Sequence, residues 1–127
     1  MTRTSFRTKL AATAATAVMA LGTGVLAASP AYAGDGSWHG CPREAVCIYP
    51  RDAGWNNDHP SDVYWDGVYR LYGQEGMHFV VNNQTYNWVD RLCYDSYGQN
   101  CDSYVQPAGT TWWVDLSPMN SIKLSPR

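Results

Sequence analysis

The chain has 127 residues, with nine Lys and Arg against eleven Asp and Glu and a formal charge of −2. Three of the cations, Arg3, Arg7 and Lys9, precede residue 34 and every acid follows it, so segment 34–127 carries six cations against eleven acids, a formal −5. An acidic segment with no Lys/Arg cluster argues against nucleic acid and against anionic membrane surfaces as partners.

The chain opens with the pattern of an export signal. Met1 to Lys9 is a positive stretch without an acid. Leu10 to Ala28 is an Ala-rich apolar run, and Ser29-Pro-Ala-Tyr-Ala33 ends small-x-small. This order predicts a signal peptide over residues 1–33, cut after Ala33. The rival reading is a membrane anchor, because the run is about as long as a span. Its threonines, its glycines and its Ala-x-Ala end favour cleavage. No later apolar run approaches spanning length. The expectation is a secreted, extracellular domain over 34–127, free of the membrane.

All four cysteines, Cys41, Cys47, Cys93 and Cys101, come after the signal. Export places them in an oxidising compartment, where disulfides are the default. Of the three possible pairings, the spacing favours two local ones, Cys41–Cys47 and Cys93–Cys101, each stabilising by roughly 2–3 kcal/mol. A domain of this size buries only about 60–65 % of its unfolded surface, so such staples matter. Zinc would need CxxC or Cys/His spacing, which C-x5-C and C-x7-C do not supply. No metal and no cofactor are expected.

No helix is expected either. Pro, Gly, Asn and Asp interrupt the chain at the spacing of short strands joined by turns. The predicted strands are 45–49, 61–64, 69–72, 78–81, 90–94, 103–105, 111–115 and 121–124. Val, Ile, Tyr and Trp fill them, as a pleated, half-buried surface requires. In the last, Ile122 and Leu124 share one face and Lys123 the other. All six tryptophans, Phe79 and eight tyrosines lie in 34–127, a dense apolar supply. A faint repeat relates 45–54 to 90–98 and 81–89 to 116–123. Two copies of four strands suggest two Greek keys packed as a β-sandwich.

Strand-Cys-x-Tyr, then a Gly, then an Asn-rich turn before Trp88-Val89 resembles the βγ-crystallin-like domains of exported bacterial proteins. Three features are similar to the secreted bacterial metalloproteinase-inhibitor family, which has that fold. They are Cys41-Pro-Arg-Glu-Ala-Val-Cys47 just after the signal, a second local cysteine pair, and the closing Trp113-Val-Asp-Leu-Ser-Pro-Met-Asn-Ser-Ile122. The resemblance covers nearly all of 34–127. It implies an all-β, βγ-crystallin-like sandwich of two Greek-key motifs with two local disulfides. It also implies a monomeric peptidase inhibitor, not an enzyme, whose partner is a secreted, thermolysin-like metalloproteinase.

Carried onto this chain, the family's inhibitory loop is Leu92, Cys93, Tyr94 and Asp95, with Cys93–Tyr94 as the scissile-like bond. A tethered loop loses little entropy when a protease grips it. Tyr94 would fill the apolar pocket just after the bond. Seven residues separate Cys93 from Cys101, more than in well-known members, so the loop is expected to be less rigid. The plainer reading makes Leu92 and Tyr94 core-strand residues and Cys93–Cys101 the staple of a turn.

Three other readings stand beside it. βγ-crystallin domains bind calcium through an Asn/Asp-rich turn. Asn82-Asn83-Gln84-Thr85-Tyr86-Asn87 keeps its first two positions, Asn82 and Asn83, but lacks the hydroxyl ligand and any carboxylate, so binding there would be weak. Asn83-Gln84-Thr85 is also a glycosylation sequon, expected to be idle. As a non-catalytic binding module, the chain would stack cell-wall carbohydrate on Trp55, Trp65, Trp112 or Trp113, the last two on opposite faces of a strand. Asp52, Asp58, Asp62 and Asp66 near His59 read as a solvated acidic rim rather than a catalytic pair.

Overall fold

Short apolar runs closed by glycine- and asparagine-bearing turns become eight strands in the computed structural model, which describes residues 34–127. The expected signal peptide, with its cut at Ala33, lies outside the described residues. The strands are β1 Val46–Ile48, β2 Asp62–Tyr64, β3 Gly67–Arg70, β4 Met77–Asn82, β5 Trp88–Cys93, β6 Gln106–Pro107, β7 Thr110–Asp115 and β8 Ser121–Pro126. Among the described residues the only helical piece is a 3-10 turn at Asn56–Asp58.

The strands form two four-stranded antiparallel sheets, ordered β2-β1-β4-β7 and β3-β8-β5-β6. Each half of the chain therefore sends its third strand to the other half's sheet. Strands of the second half begin 42 to 44 residues after their counterparts: Val46 and Trp88, Asp62 and Gln106, Gly67 and Thr110, Met77 and Ser121. The spacing is close to the offset of 45 between 45–54 and 90–98, whereas 81–89 and 116–123, offset by 35, are not counterparts in the fold.

Alternation places the core between the sheets. Val46, Ile48 and Val80 from the first meet Leu92, Ile122 and Leu124 from the second, with Leu71 and Leu116 at the ends. The expected facing of β8 holds, since Ile122 and Leu124 are buried while Lys123 is not. The outer face of the first sheet carries a second cluster, Cys41, Ala45, Cys47, Tyr49 and Val81, flanked by Trp38, Trp55 and Phe79. Both expected disulfides are present. Cys41–Cys47 ties the segment before β1 to β1, and Cys93–Cys101 closes the loop after β5.

Three strands begin at least two residues from expectation. β3 lies two residues earlier than predicted, and β5 starts two residues earlier, at Trp88, and leaves Tyr94 outside it. β6 is Gln106–Pro107, not 103–105. A proline reads as a turn residue in the sequence. Here β6 is an edge strand, where a missing N–H leaves no ladder bond unmade.

Candidate functional site

The sharpest expectation from the sequence concerns the loop that leaves β5. Leu92 is the last core residue of that strand, 2 % exposed and opposite Ile122. Cys93 is fully buried beside Ser121. The Cys93 carbonyl accepts the Asn120 N–H at 2.8 Å, and the Tyr94 N–H donates to the Asn100 carbonyl at 2.8 Å. Both polar groups of the Cys93–Tyr94 peptide bond are thus spent inside the fold. Leu92 and Cys93 present no side chain to a partner, because strand alternation turns Leu92 into the core and the disulfide holds Cys93 beneath the loop. The outward surface begins at Tyr94, which is 43 % exposed.

Asp95 organises the turn beyond Tyr94. Its carboxylate accepts backbone N–H bonds from Tyr97 at 3.0 Å, Gln99 at 2.9 Å and Asn100 at 2.7 Å. These bonds, that from Asn100 foremost, hold its pKa below the usual carboxylate value. Asp95 therefore faces its own loop. Ser121, buried in β8, pins the loop from below: its hydroxyl donates to the Asp95 carbonyl at 2.6 Å and accepts the Gly98 N–H at 3.1 Å. Gly98 is needed there. Its φ is +71°, and a Cβ would meet Val68 Cγ1 at 3.0 Å. Despite its length the loop is tightly braced.

Its outer side is aromatic. Tyr97, 69 % exposed, stands beside Arg70, whose guanidinium lies 5.9 Å from the Tyr97 ring and 5.1 Å from that of the exposed Tyr72. The Tyr94 hydroxyl donates to Asp102 at 3.1 Å, and that bond is the first cause of its raised pKa. Sequence reasoning misses Arg70, Tyr72 and Tyr97. The available signal is a tyrosine inside Tyr97-Gly-Gln-Asn100, a turn with no sheet face on which to bury a ring.

Comparison with protein-family models, with curated proteins and with solved structures finds no match. The reading of the site rests on its own geometry.

The remaining candidates are dispersed through the fold. Asn82 and Asn83 are buried and their amides are committed. Asn82 donates to the Gln106 carbonyl at 2.9 Å and accepts the Gln84 N–H at 2.9 Å. Asn83 donates to the Gly36 and Cys41 carbonyls at 3.0 and 2.9 Å, which also closes the sequon. Among the described residues, no three His, Cys, Asp or Glu side chains gather as a metal site. Trp55 is packed, stacked on His39 at 3.7 Å and tilted against Phe79 at 4.6 Å. Trp112 is half-buried, whereas Trp113 and Trp65 are exposed. Asp58 pairs with His39 at 2.9 Å and Asp62 accepts from Gln74 at 2.7 Å, so the acids of that region are dispersed rather than convergent.

Proposed function

We propose that the chain is a secreted, non-catalytic inhibitor-type module that grips a thermolysin-like metalloproteinase with its Cys93–Cys101 loop. The observation that carries this reading is a loop braced from within and aromatic without. The disulfide, the Asp95 carboxylate and Ser121 fix its backbone, while Tyr94 is exposed against Asp102 and Tyr97 points outward beside Arg70, which also meets Tyr72. Bracing lowers the entropy lost on binding, and Tyr and Arg dominate binding hot spots. The exchange of third strands between two halves of matching spacing supports the βγ-crystallin-like, two-Greek-key architecture on which the family resemblance rests. Two disulfides fit an oxidising, extracellular setting.

The geometry changes how the grip would work. A substrate-like placement of the Cys93–Tyr94 bond would break the Asn120–Cys93 hydrogen bond that joins the loop to the chain before β8. In this proposal the tyrosine crown occupies the enzyme cleft and the bond stays intact. The decisive experiment titrates purified protein with intact disulfides against a thermolysin-like enzyme. The expected result is slow, tight, reversible inhibition without cleavage of the inhibitor. Tyr97→Ala, at an exposed position, should weaken it by about 10- to 30-fold. No inhibition at micromolar protein would sink the proposal.

A further inference from the structure

At the opposite end of β5 from the loop lies a separate cleft of about 250 Å³, lined by Glu44, Trp65, Asp66, Gln84 and Trp88. Trp88 opens β5 and Cys93 closes it, so the strand separates cleft and loop by roughly 17 Å. Three connections meet at the cleft: the residues before β1, the β2–β3 turn and the β4–β5 turn. Trp65 is 46 % exposed and Trp88 half-buried, so the cleft has aromatic walls that the core does not use. Two carboxylates line it and no Lys or Arg does. The Glu44 carboxylate is steadied by the Thr85 hydroxyl, which donates to both its oxygens at 3.0 Å. Arg43 approaches Glu44 at 3.6 Å, but that pair is exposed and worth little. Gln84, which also lines a neighbouring pocket beside Arg43, is 6 % exposed, and its amide oxygen is buried beneath the cleft rather than open to it.

We propose that this cleft binds an organic ammonium cation, held against Trp65 and Trp88 and charge-balanced by Glu44 and Asp66. The lining itself selects the ligand. Its side-chain acceptors are the two anionic carboxylates of Glu44 and Asp66. Only the indole and amide N–H groups donate. A sugar needs donors and acceptors in comparable number, whereas an alkylammonium group carries only positive charge and donors. Indole rings attract such cations electrostatically. The formal −5 of segment 34–127 adds a long-range field of the same sign. The cleft is small for a drug-sized ligand and suits a single headgroup or side-chain end. The cation comes either from a free quaternary amine or from a lysine of a protein chain, and the chemistry is shared.

The test monitors the indole N–H signals of Trp65 and Trp88 by NMR. Choline and Nα-acetyl-lysine amide are titrated separately, beside 3,3-dimethylbutanol, the neutral shape-mimic of choline, and glucose. Saturable shifts are expected with a cation, with the neutral alcohol and glucose at least about tenfold weaker. Tighter binding of choline identifies a free amine as the source, and tighter binding of the lysine derivative a protein chain. Asp66→Asn and Trp65→Ala, both at exposed positions, should each weaken binding by about five- to tenfold, and about 0.5 M salt should weaken it further. An undisturbed Trp113 signal certifies the fold of each variant. Three results overturn the proposal: no saturable shift with either cation at about 50 mM, neutral ligands binding as tightly, or full affinity in Asp66→Asn. None of these outcomes bears on the protease loop.

Discussion

Asp90 is an acid on the core face of a central strand. It lies in β5, fully buried, opposite Leu124 on one side and Gln106 on the other. Neither of its carboxyl oxygens nor the Gln106 side-chain oxygen has a hydrogen-bond partner among the described residues. Burial pushes its pKa well above the ordinary carboxylate value, with Asn82 beside it opposing. A protonated Asp90 supplies an O–H donor in a region of orphaned acceptors. In the unfolded chain the same carboxyl ionises near pH 3.9. Above that pH the native state holds one proton more than the unfolded state. This contribution is therefore complete at low pH and is lost as pH rises towards the native pKa, by up to about 1.4 kcal/mol per pH unit. Asp35, Asp95 and Asp115 act in the opposite sense. Their pKa values are lowered chiefly by hydrogen bonds from Ser37, Asn100 and Ser117, and their support fades only below about pH 4. Stability measured by denaturant unfolding should then decline from about pH 5 upward. Asp90→Asn, neutral at every pH, should flatten the decline and be the more stable protein at neutral pH. Parallel curves for the two proteins would contradict this account.

Strands are legible in this sequence where period-two alternation meets a turn residue, and much less so elsewhere. Ile122-Lys123-Leu124 announces its facing. The β3 and β6 boundaries do not, because edge strands have weak alternation and Pro107 resembles a turn until its neighbour is known to be solvent. The candidate loop is half legible. Its disulfide can be read from spacing, but the resemblance turns Leu92 outward, although it has the same parity in β5 as Trp88 and Asp90. The bracing role of Asp95 is hidden in the sequence. A carboxylate gathers three amides only if the turn beyond it folds back, and the sequence shows only that an Asp precedes a Gly-Asn turn. That bracing makes a prediction about the element itself. Asp95→Ala should raise hydrogen exchange at the Gln99 and Asn100 amides by about tenfold or more, with Leu92 keeping its protection. Unchanged exchange at Gln99 and Asn100 would show that the disulfide and Ser121 suffice. The proposed inhibition should weaken in step with the loosening.

Across the whole molecule, the exchange of third strands decides what can fold alone. Residues 34–87 contain β1 to β4, yet β3 belongs to the second sheet, where it pairs with β8. Residues 88–127 contain β5 to β8, yet β7 pairs with β4 in the first sheet over six residues, Met77–Asp115 to Asn82–Thr110. Cutting the chain between its repeats removes the edge neighbours of β4 and β8 together. It also splits the core, since Val46, Ile48 and Val80 lie in one piece and Leu92, Ile122 and Leu124 in the other. Each piece keeps one disulfide, but a staple of under about ten residues contributes only roughly 2–3 kcal/mol, short of replacing half a core. Neither fragment should therefore melt cooperatively. An equimolar mixture should recover sheet circular dichroism and a single transition whose midpoint rises with concentration, as binding-linked folding requires. A fragment that melts cooperatively by itself would mean that its four strands close a sheet of their own, and the interlocking of the halves would then not be what makes this chain one unit.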